Sequence, residues 1–353
     1  MERAAMERAA MDRAVQASAT VLGTTSPNPP VGAVLLDAAG RVVGVGATSP
    51  PGGPHAEVVA LRAAGDRAAG GTAVVTLEPC AHTGRTPPCT RALLAAGIAR
   101  VVVGVADPDP VAAGGADVLR AAGVDVEVGT GAAAVEAGPL RAWLHRTRTG
   151  RPFVTWKAAV TLDGRAAAAD GTSRWITSPE ARADVHLLRS TVDAVVVGTG
   201  TALADDPALT VRLPAAGEPM GASARDRVPL RQPLRVVVGF RELRPDARLL
   251  DGTAPTVALR THDPAEVLAD LAGRDVVSVL LEGGPTLAGA FVGAGLVDRV
   301  VAYLAPALLG AGPAALGPAG AGTIAGIHRL HVQDLARVGP DIRIDAVPVG
   351  RTG

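Results

Sequence analysis

The chain has 353 residues, enough for about two domains of roughly 150 residues each. Hydrophobic residues make up 48% and charged residues 19%, which suits packed cores rather than disorder. Thirty-four basic side chains balance 34 acidic ones and aromatics are only 2%, so neither the basic stripe nor the stacking platform of a nucleic-acid binder is present. No apolar run approaches the roughly 20 residues of a membrane span. The N-terminus lacks a basic-then-apolar leader, and a cytoplasmic location is expected.

Met-Glu-Arg-Ala-Ala occurs twice in residues 1–10, and a third copy begins at Met11. This reads as an extension ahead of the first domain, with a helix running to about residue 18. Thr24 to Pro30 is a turn. Val31–Leu36 and Arg41–Gly46 read as strands joined at Gly40. A helix is expected from His55, a strand over Thr72–Glu78, then a helix to Gly97. The strand Arg100–Ala106, a helix near 112–122 and the strand Val124–Val128 follow. Strands alternating with helices imply a largely parallel sheet covered on both faces, with the active loops at the strands' carboxyl ends.

Residues 129–150 are a candidate domain boundary. Phe153–Thr161 is a strand, and Leu162-Asp163-Gly164 a turn. Ser178 and Pro179 predict a helix start, as N-cap and first helical position. The buried strand Asp193–Val197 opens into Gly198-Thr199-Gly200-Thr201. Residues 213–232 read as a surface loop, and Arg235–Val238 as a strand. Val276–Leu281 runs into Glu282-Gly283-Gly284-Pro285-Thr286 and an apolar helix. A strand, glycine turn and helix start can cradle phosphate, and two such turns in one half suggest a dinucleotide. Val297–Leu304 and Asp341–Val347 complete the second sheet.

The chemistry concentrates between His55 and Cys89. Pro54-His55-Ala56-Glu57 precedes Glu78-Pro79-Cys80, and Cys89 follows after eight further residues; these are the only two cysteines. Zinc takes nitrogen and sulfur ligands, and a catalytic site keeps a fourth position for water. His55, Cys80 and Cys89 are the candidate ligands. Glu57 is the candidate proton shuttle, in the H-x-E and P-C pattern of zinc deaminases. Residues two apart diverge on a helix, so His55 and Glu57 share a site only at a helix start, which Pro54 favours. Pro87-Pro88 place a second helix start at Cys89. Two cysteines in a chain this long do not resemble a secreted disulfide framework.

On these residues the chain resembles the bifunctional riboflavin-biosynthesis enzymes that combine a pyrimidine deaminase with a reductase. The likeness spans about residues 11–347, apart from 213–232. It rests on the eight-residue cysteine spacing, Ser26-Pro27-Asn28-Pro29, Thr76-Leu-Glu-Pro-Cys80, Arg148-Thr-Gly-Arg-Pro152 and Leu162-Asp163-Gly164. It rests also on Arg174-Trp-Ile-Thr-Ser178, Ala204 to Arg212 and Glu282-Gly-Gly-Pro-Thr286. The resemblance implies an α/β chain: a cytidine-deaminase-like zinc domain over 11–148 and a dihydrofolate-reductase-like domain over 149–353. It implies a zinc-dependent hydrolase that deaminates a diaminopyrimidinone ribosyl phosphate, followed by an NADPH-dependent reduction of the ribosylamino group. A deaminase with a degenerate reductase half is the alternative.

Carried over by position, Asn28, His82 and Arg85 are expected deaminase substrate contacts. Ser173, Arg189, Leu209, Arg212 and Glu282 are expected in the reductase substrate pocket. Ala159, Trp175, Thr201, Asp205 and the turn Gly284, Pro285, Thr286, Leu287, Ala288, Gly289 and Ala290 are expected at NADPH. The family suggests a homo-oligomer acting on a small-molecule substrate, without nucleic acid or membrane partners. Three departures stand out. Gly46-Ala47-Thr48 replaces Gly-Tyr-His, Gly239-Phe240 replaces an Asp and a Ser, and Asp107-Pro108-Asp109-Pro110 replaces Asp-Pro-Asn-Pro. Lys157 is the only lysine, read first as codon bias.

Overall fold

The computed structural model describes residues 2–82, 87–212 and 231–350. The chain divides into two compact units, Met1–Gly150 and Arg151–Gly353. The first contains α1 (Glu2–Ala19), β1 (Gly32–Leu36), β2 (Val42–Ala47), α2 (Ala56–Ala64), β3 (Thr72–Leu77), α3 (Cys89–Ala95), β4 (Arg100–Val105), α4 (Gly115–Ala121), β5 (Asp125–Val128), α5 (Ala132–Ala137) and α6 (Arg141–Thr149).

Its five strands run in the order β2-β1-β3-β4-β5. β1 is antiparallel to both β2 and β3, while β3, β4 and β5 are parallel. The expectation of a largely parallel sheet therefore holds only for its second half. The reason is local: a tight turn at Gly40, with φ +80°, returns the chain directly, whereas parallel neighbours need a crossover.

The repeated N-terminal segment is more than an extension. It is continuous with α1, which buries Glu7, Ala10, Met11, Ala14 and Ser18. Glu7 Oε1 accepts from Arg100 Nε at 2.7 Å, and Asp125 and Glu127 also hold that guanidinium. Residues 132–149, read as boundary, form α5 and α6, with Val135, Trp143 and Leu144 buried.

The second unit contains β6 (Phe153–Thr161), α7 (Pro179–Ser190), β7 (Ala194–Gly198), α8 (Thr199–Asp205), β8 (Leu234–Val238), β9 (Thr256–Leu259), α9 (Pro264–Gly273), β10 (Ser278–Leu281), α10 (Pro285–Gly293), β11 (Arg299–Ala305), β12 (Leu330–Val338) and β13 (Asp341–Pro348). The eight strands order as β12-β13-β11-β6-β10-β7-β8-β9. The six from β11 to β9 are parallel, and β13 and β12 close one edge antiparallel. Ser178 caps α7, its hydroxyl accepting from Ala181 N at 3.2 Å. Valine and leucine from β7, β8 and β10 fill both faces of the central sheet, as strands buried on two sides require. The surface-loop reading of 213–232 falls, but for its last two residues, outside the described residues.

Candidate active sites

α2 lies directly on the first sheet, backbone against backbone. A Cβ on Gly44 would sit 2.3 Å from Ala60 O, and one on Gly46 2.3 Å from Ala56 O. Only glycine on β2 permits this approach, and Ala56, Ala60 and Ala64 complete the contact. The helix starts where Pro54 and an extended His55 end the preceding turn. His55 as N-cap and Glu57 in the first turn can therefore face one point, as the spacing required.

Cys80 arrives from the carboxyl end of β3, and Cys89 opens α3. His55 Nδ1 lies 3.3 Å from Cys89 Sγ and 3.7 Å from Cys80 Sγ. The three ligand atoms all lie within 4.8 Å of one another. Cys80 Sγ accepts from the backbone N–H of Cys89 at 3.3 Å. Hydrogen bonding from the Cys89 thiol, aided by His55, holds the Cys80 thiol down at about 4 despite its burial. Sharing with Cys80, together with burial, pushes the Cys89 thiol up. His55 is raised chiefly by its hydrogen bond to Cys80. Glu57 is 4% exposed; burial pushes its carboxyl up, and it also hydrogen-bonds Cys89. One nitrogen and two sulfurs, one of them with its thiol pKa held well below the usual value, fit zinc as a three-ligand site. Glu57 stands beside them as an acid–base group.

A cavity of about 320 Å³ opens onto this cluster. Asn28, Thr48, His55, Glu57, Cys80, His82, Asp107 and Trp143 are in its wall. His82 Nδ1 is buried without a hydrogen-bond partner among the described residues, a group left to meet a ligand. Thr48 Oγ1 accepts from Val31 N at 3.0 Å, so the residue replacing histidine is tied to the sheet. Glu78 ties the loop after β4, its carboxylate accepting from Asp107 N at 3.0 Å and Ala116 N at 2.8 Å. Asp107 itself is raised to about 6, mainly by burial. Sequence reasoning noted Asp107 only within a motif and missed its place in the wall. Arg85 lies outside the described residues.

In the second unit a cavity of about 930 Å³ runs along the carboxyl ends of the parallel strands. Ala159, Ser173, Trp175, Thr201, Asp205, Glu282, Gly284, Pro285, Thr286, Leu287 and Ala290 line it. The two glycine turns meet there: Gly284 N donates to Thr201 Oγ1 at 3.1 Å. Trp175 is 68% exposed, with the Arg182 guanidinium 4.3 Å from its ring centroid.

Five expected contacts are not in this wall. Arg189 sits behind it, paired through Nε to Glu282 Oε1 at 2.6 Å. Arg212 donates to Thr210 Oγ1 at 2.9 Å and abuts His186. Leu209 packs its side chain into the core with Val195, Val237 and Leu280. Ala288 is buried, and Gly289 faces Pro318, whose carbonyl would stand 2.5 Å from an added Cβ. The turn at 284–290 therefore presents one side of a helix to the cavity, not a continuous run.

Lys157 does line the cavity. Burial lowers its pKa, although Glu282 opposes that shift. Glu282 goes the other way. Burial would raise it, but Arg189 and Lys157 together hold it at about 2. A lone lysine on a largely buried strand was the available signal, and it was assigned to codon usage.

An N,S,S cluster beside a buried glutamate on a mixed α/β sheet defines a zinc deaminase of the cytidine-deaminase type. The second unit is a separate, cofactor-sized pocket on a parallel sheet. Residues 5–105 match the cytidine and deoxycytidylate deaminase zinc-binding region, and residues 152–344 match the RibD C-terminal domain. The riboflavin biosynthesis protein RibD of Mycobacterium tuberculosis is 53% identical over 333 residues, covering 94% of this chain and 95% of that protein. Acinetobacter baumannii RibD superposes with a TM-score of 0.86 at 36% identity, covering 98% of this chain and 99% of that one. A Thermotoga maritima diaminohydroxyphosphoribosylaminopyrimidine deaminase/5-amino-6-(5-phosphoribosylamino)uracil reductase gives a TM-score of 0.86 at 31% identity, with the same coverage.

The chain belongs to the RibD family. It is a bifunctional enzyme of riboflavin biosynthesis, a deaminase joined to a reductase, with zinc and NADPH as cofactors. Nothing favours the alternative of a lost reductase half.

The ligand set has a direct check. His55→Ala, Cys80→Ser and Cys89→Ser are each expected to weaken zinc by at least ~100-fold in competition with a chromophoric chelator, since each removes one of only three protein ligands. Glu57→Gln is expected to bind zinc as the parent does. Zinc loss in Glu57→Gln would make that residue a ligand.

Proposed function

We propose that the first unit removes the 2-amino group of 2,5-diamino-6-ribosylamino-4(3H)-pyrimidinone 5′-phosphate. The second then reduces 5-amino-6-(5-phosphoribosylamino)uracil to the ribitylamino product. We assign deamination to residues 11–148 and reduction to 149–353, with residues 2–10 completing α1. The observation that carries the first half is a buried carboxyl beside the N,S,S cluster. The activity for which the Thermotoga relative is named supports the substrate pair.

Zinc, when bound by His55, Cys80 and Cys89, supplies the Lewis acid that acidifies the attacking water. Glu57 would take one proton from the attacking water and pass it to the ring nitrogen, then take the second from the hydroxyl so added and pass it to the amine, which leaves as ammonia. Burial raises its pKa, which suits a group that must both accept and release a proton near neutrality. Asn28 and His82 orient the pyrimidine from the cavity wall, Arg85 takes the 5′-phosphate, and Asp107 is a further contact.

NADPH, when bound, supplies the hydride for C1′ of the opened ribosylamino group. The bond order at C1′–N falls by one, and a proton must reach the nitrogen. Glu282 cannot give it, because Arg189 and Lys157 keep its carboxylate ionised. Lys157 is the proton source: an ammonium disfavoured by burial gives up its proton readily. Arg189, Arg212 and Lys157 outnumber Glu282 in charge, which favours an anionic substrate held with Ser173. Leu209 can contribute its backbone, its side chain being in the core. Ala159, Trp175, Thr201, Asp205 and the 284–290 turn hold the cofactor.

The free, metal-directed thiols suit a reducing cytoplasm. Self-association is supported by β12. Its outer edge has no partner strand among the described residues, and Leu330, Val332 and Leu335 stand exposed on one face beside Ile342. Such an edge invites pairing, and a second copy of the chain is the partner proposed.

Ammonia release and NADPH oxidation, followed separately on zinc-loaded protein, test both halves. Glu57→Gln is expected to lower the ammonia kcat by ~10³-fold, within the range for a general acid–base group; full turnover would end its assignment. Lys157→Met is expected to cut NADPH oxidation by ~100-fold while ammonia release is kept. In the parent, the reductase rate should fall toward high pH with an apparent pKa below that of free lysine, because the acid form is lost earlier. An unchanged alkaline limb in Lys157→Met would remove Lys157 from the chemistry. Light scattering should give a dimer or larger species, reduced to monomer by Leu335→Lys; a monomeric parent would refute the β12 interface.

A further inference from the structure

The reductase cavity has a second end that neither glycine turn accounts for. It continues past the turns to the ends of β8 and β9, where Phe240, Arg241 and His262 line it. From β10 to β9 is three strand spacings, about 14 Å, so this end is far from Glu282 and Lys157. β8 and β9 run parallel with Val238 opposite Leu259, and Gly239 N donates to Leu259 O at 3.0 Å. The segments that leave the two strands therefore lie side by side.

Gly239 fixes how the chain leaves β8. Its φ is +131°, and an added Cβ would stand 2.6 Å from Thr199 Oγ1. A side chain has no room there, so the aspartate expected from the family is excluded by this backbone. What the departure delivers instead is Phe240, 52% exposed. Its ring meets His262 edge to face, with centroids 4.9 Å apart and planes at 83°. The Arg241 guanidinium lies over the first glycine turn, Nη2 being 3.1 Å from the Cβ position of Gly200. Arg241 has no carboxylate partner among the described residues, whereas its neighbours Arg244 and Arg260 pair with Asp206, Asp246 and Glu242. Among the described residues, the only acidic ones in the cavity wall are Asp205 and Glu282, and neither belongs to the β8 or β9 segments.

We propose that Phe240, Arg241 and His262 form the adenosine end of the cofactor site, with Arg241 and His262 selecting for the 2′-phosphate. This rests on the nicotinamide lying toward Glu282 and Lys157. An unpaired guanidinium offers the planar fork that binds phosphate through two hydrogen bonds. A cation at the ribose accommodates a 2′-phosphate, whereas a carboxylate there would select the hydroxyl of NADH. The exposed phenyl face is a shelf on which a purine can stack, a contact that does not depend on the 2′ substituent. The parts thus separate: Phe240 serves both dinucleotides, and Arg241 and His262 serve only NADPH.

Calorimetric titration of the full, zinc-loaded chain with NADPH, NADH and 2′,5′-ADP reads this without turnover. Arg241→Ala is expected to weaken NADPH and 2′,5′-ADP by 10- to 100-fold and NADH by less than threefold. His262→Ala should act in the same sense by 3- to 10-fold, and Arg241→Lys should recover part of the loss. Phe240→Ala should weaken NADPH and NADH alike. Thermal midpoints of the unliganded variants, within 2–3 °C of the parent, establish that each is folded. Equal losses of NADPH and NADH in Arg241→Ala would put the guanidinium on the diphosphate and overturn the proposal. So would unchanged NADPH binding in both Arg241→Ala and His262→Ala. A parent chain that binds none of the three probes would instead refute the cofactor reading of the cavity.

Discussion

The close seating of α2 on β2 is the constraint from which the deaminase site follows. Backbone approaches within van der Waals reach only because Gly44 and Gly46 offer no side chain and Ala56, Ala60 and Ala64 offer little. That contact fixes the height and rotation of the helix, and so the point at which His55 and Glu57 converge. β3, two strands away from β2, delivers Cys80, and the helix begun by Pro88 delivers Cys89. The site is thus assembled by the ends of rigid elements, which hold geometry better than loops. Alanine and glycine, so abundant here, are used as spacers that let backbones touch.

The reductase unit solves a different problem. It must keep lysine, arginine and glutamate together at low dielectric without letting them neutralise into inert pairs. Glu282 is held ionised by Arg189 and Lys157, while burial lowers the pKa of Lys157 and Glu282 opposes that shift. His186 belongs to the same balance. Burial and the nearby Arg189 and Arg212 bring it down to about 4, so it stays neutral and adds no further cation. Arg189, Arg212 and Lys157 thus surround the Glu282 carboxylate, a balance that favours an anionic substrate.

Much of this was legible in the sequence, because short-range signals carried it. His55, Glu57, Cys80 and Cys89 announce their chemistry by type and spacing. The strand Phe153–Thr161 and the cap at Ser178 were readable from local pattern alone, and the structure has both. What the sequence hid depends on longer range. β9 is four residues long and β12 is exposed along most of its length, so neither shows the apolar run of a buried strand. Leu209 looks like a pocket residue only by position in a motif; its side chain turns into the core at a φ of +52°. Ala288 and Gly289 fell in a contiguous motif, but helical periodicity turns them from the cavity.

The two residues most easily misjudged are Lys157 and Gly239. In the sequence the solitary lysine reads first as codon bias, and Gly239-Phe240 stands only as a departure from the family's Asp and Ser. Each gains meaning only from its neighbours in three dimensions. Lys157 faces Glu282 across adjacent parallel strands β6 and β10. Gly239 passes so close to Thr199 that glycine is required, and in doing so it swings Phe240 and Arg241 to the cavity. A departure from a motif at such a point is a change in how the backbone leaves the strand. The contacts a ligand would meet move with it to the next residues along the chain.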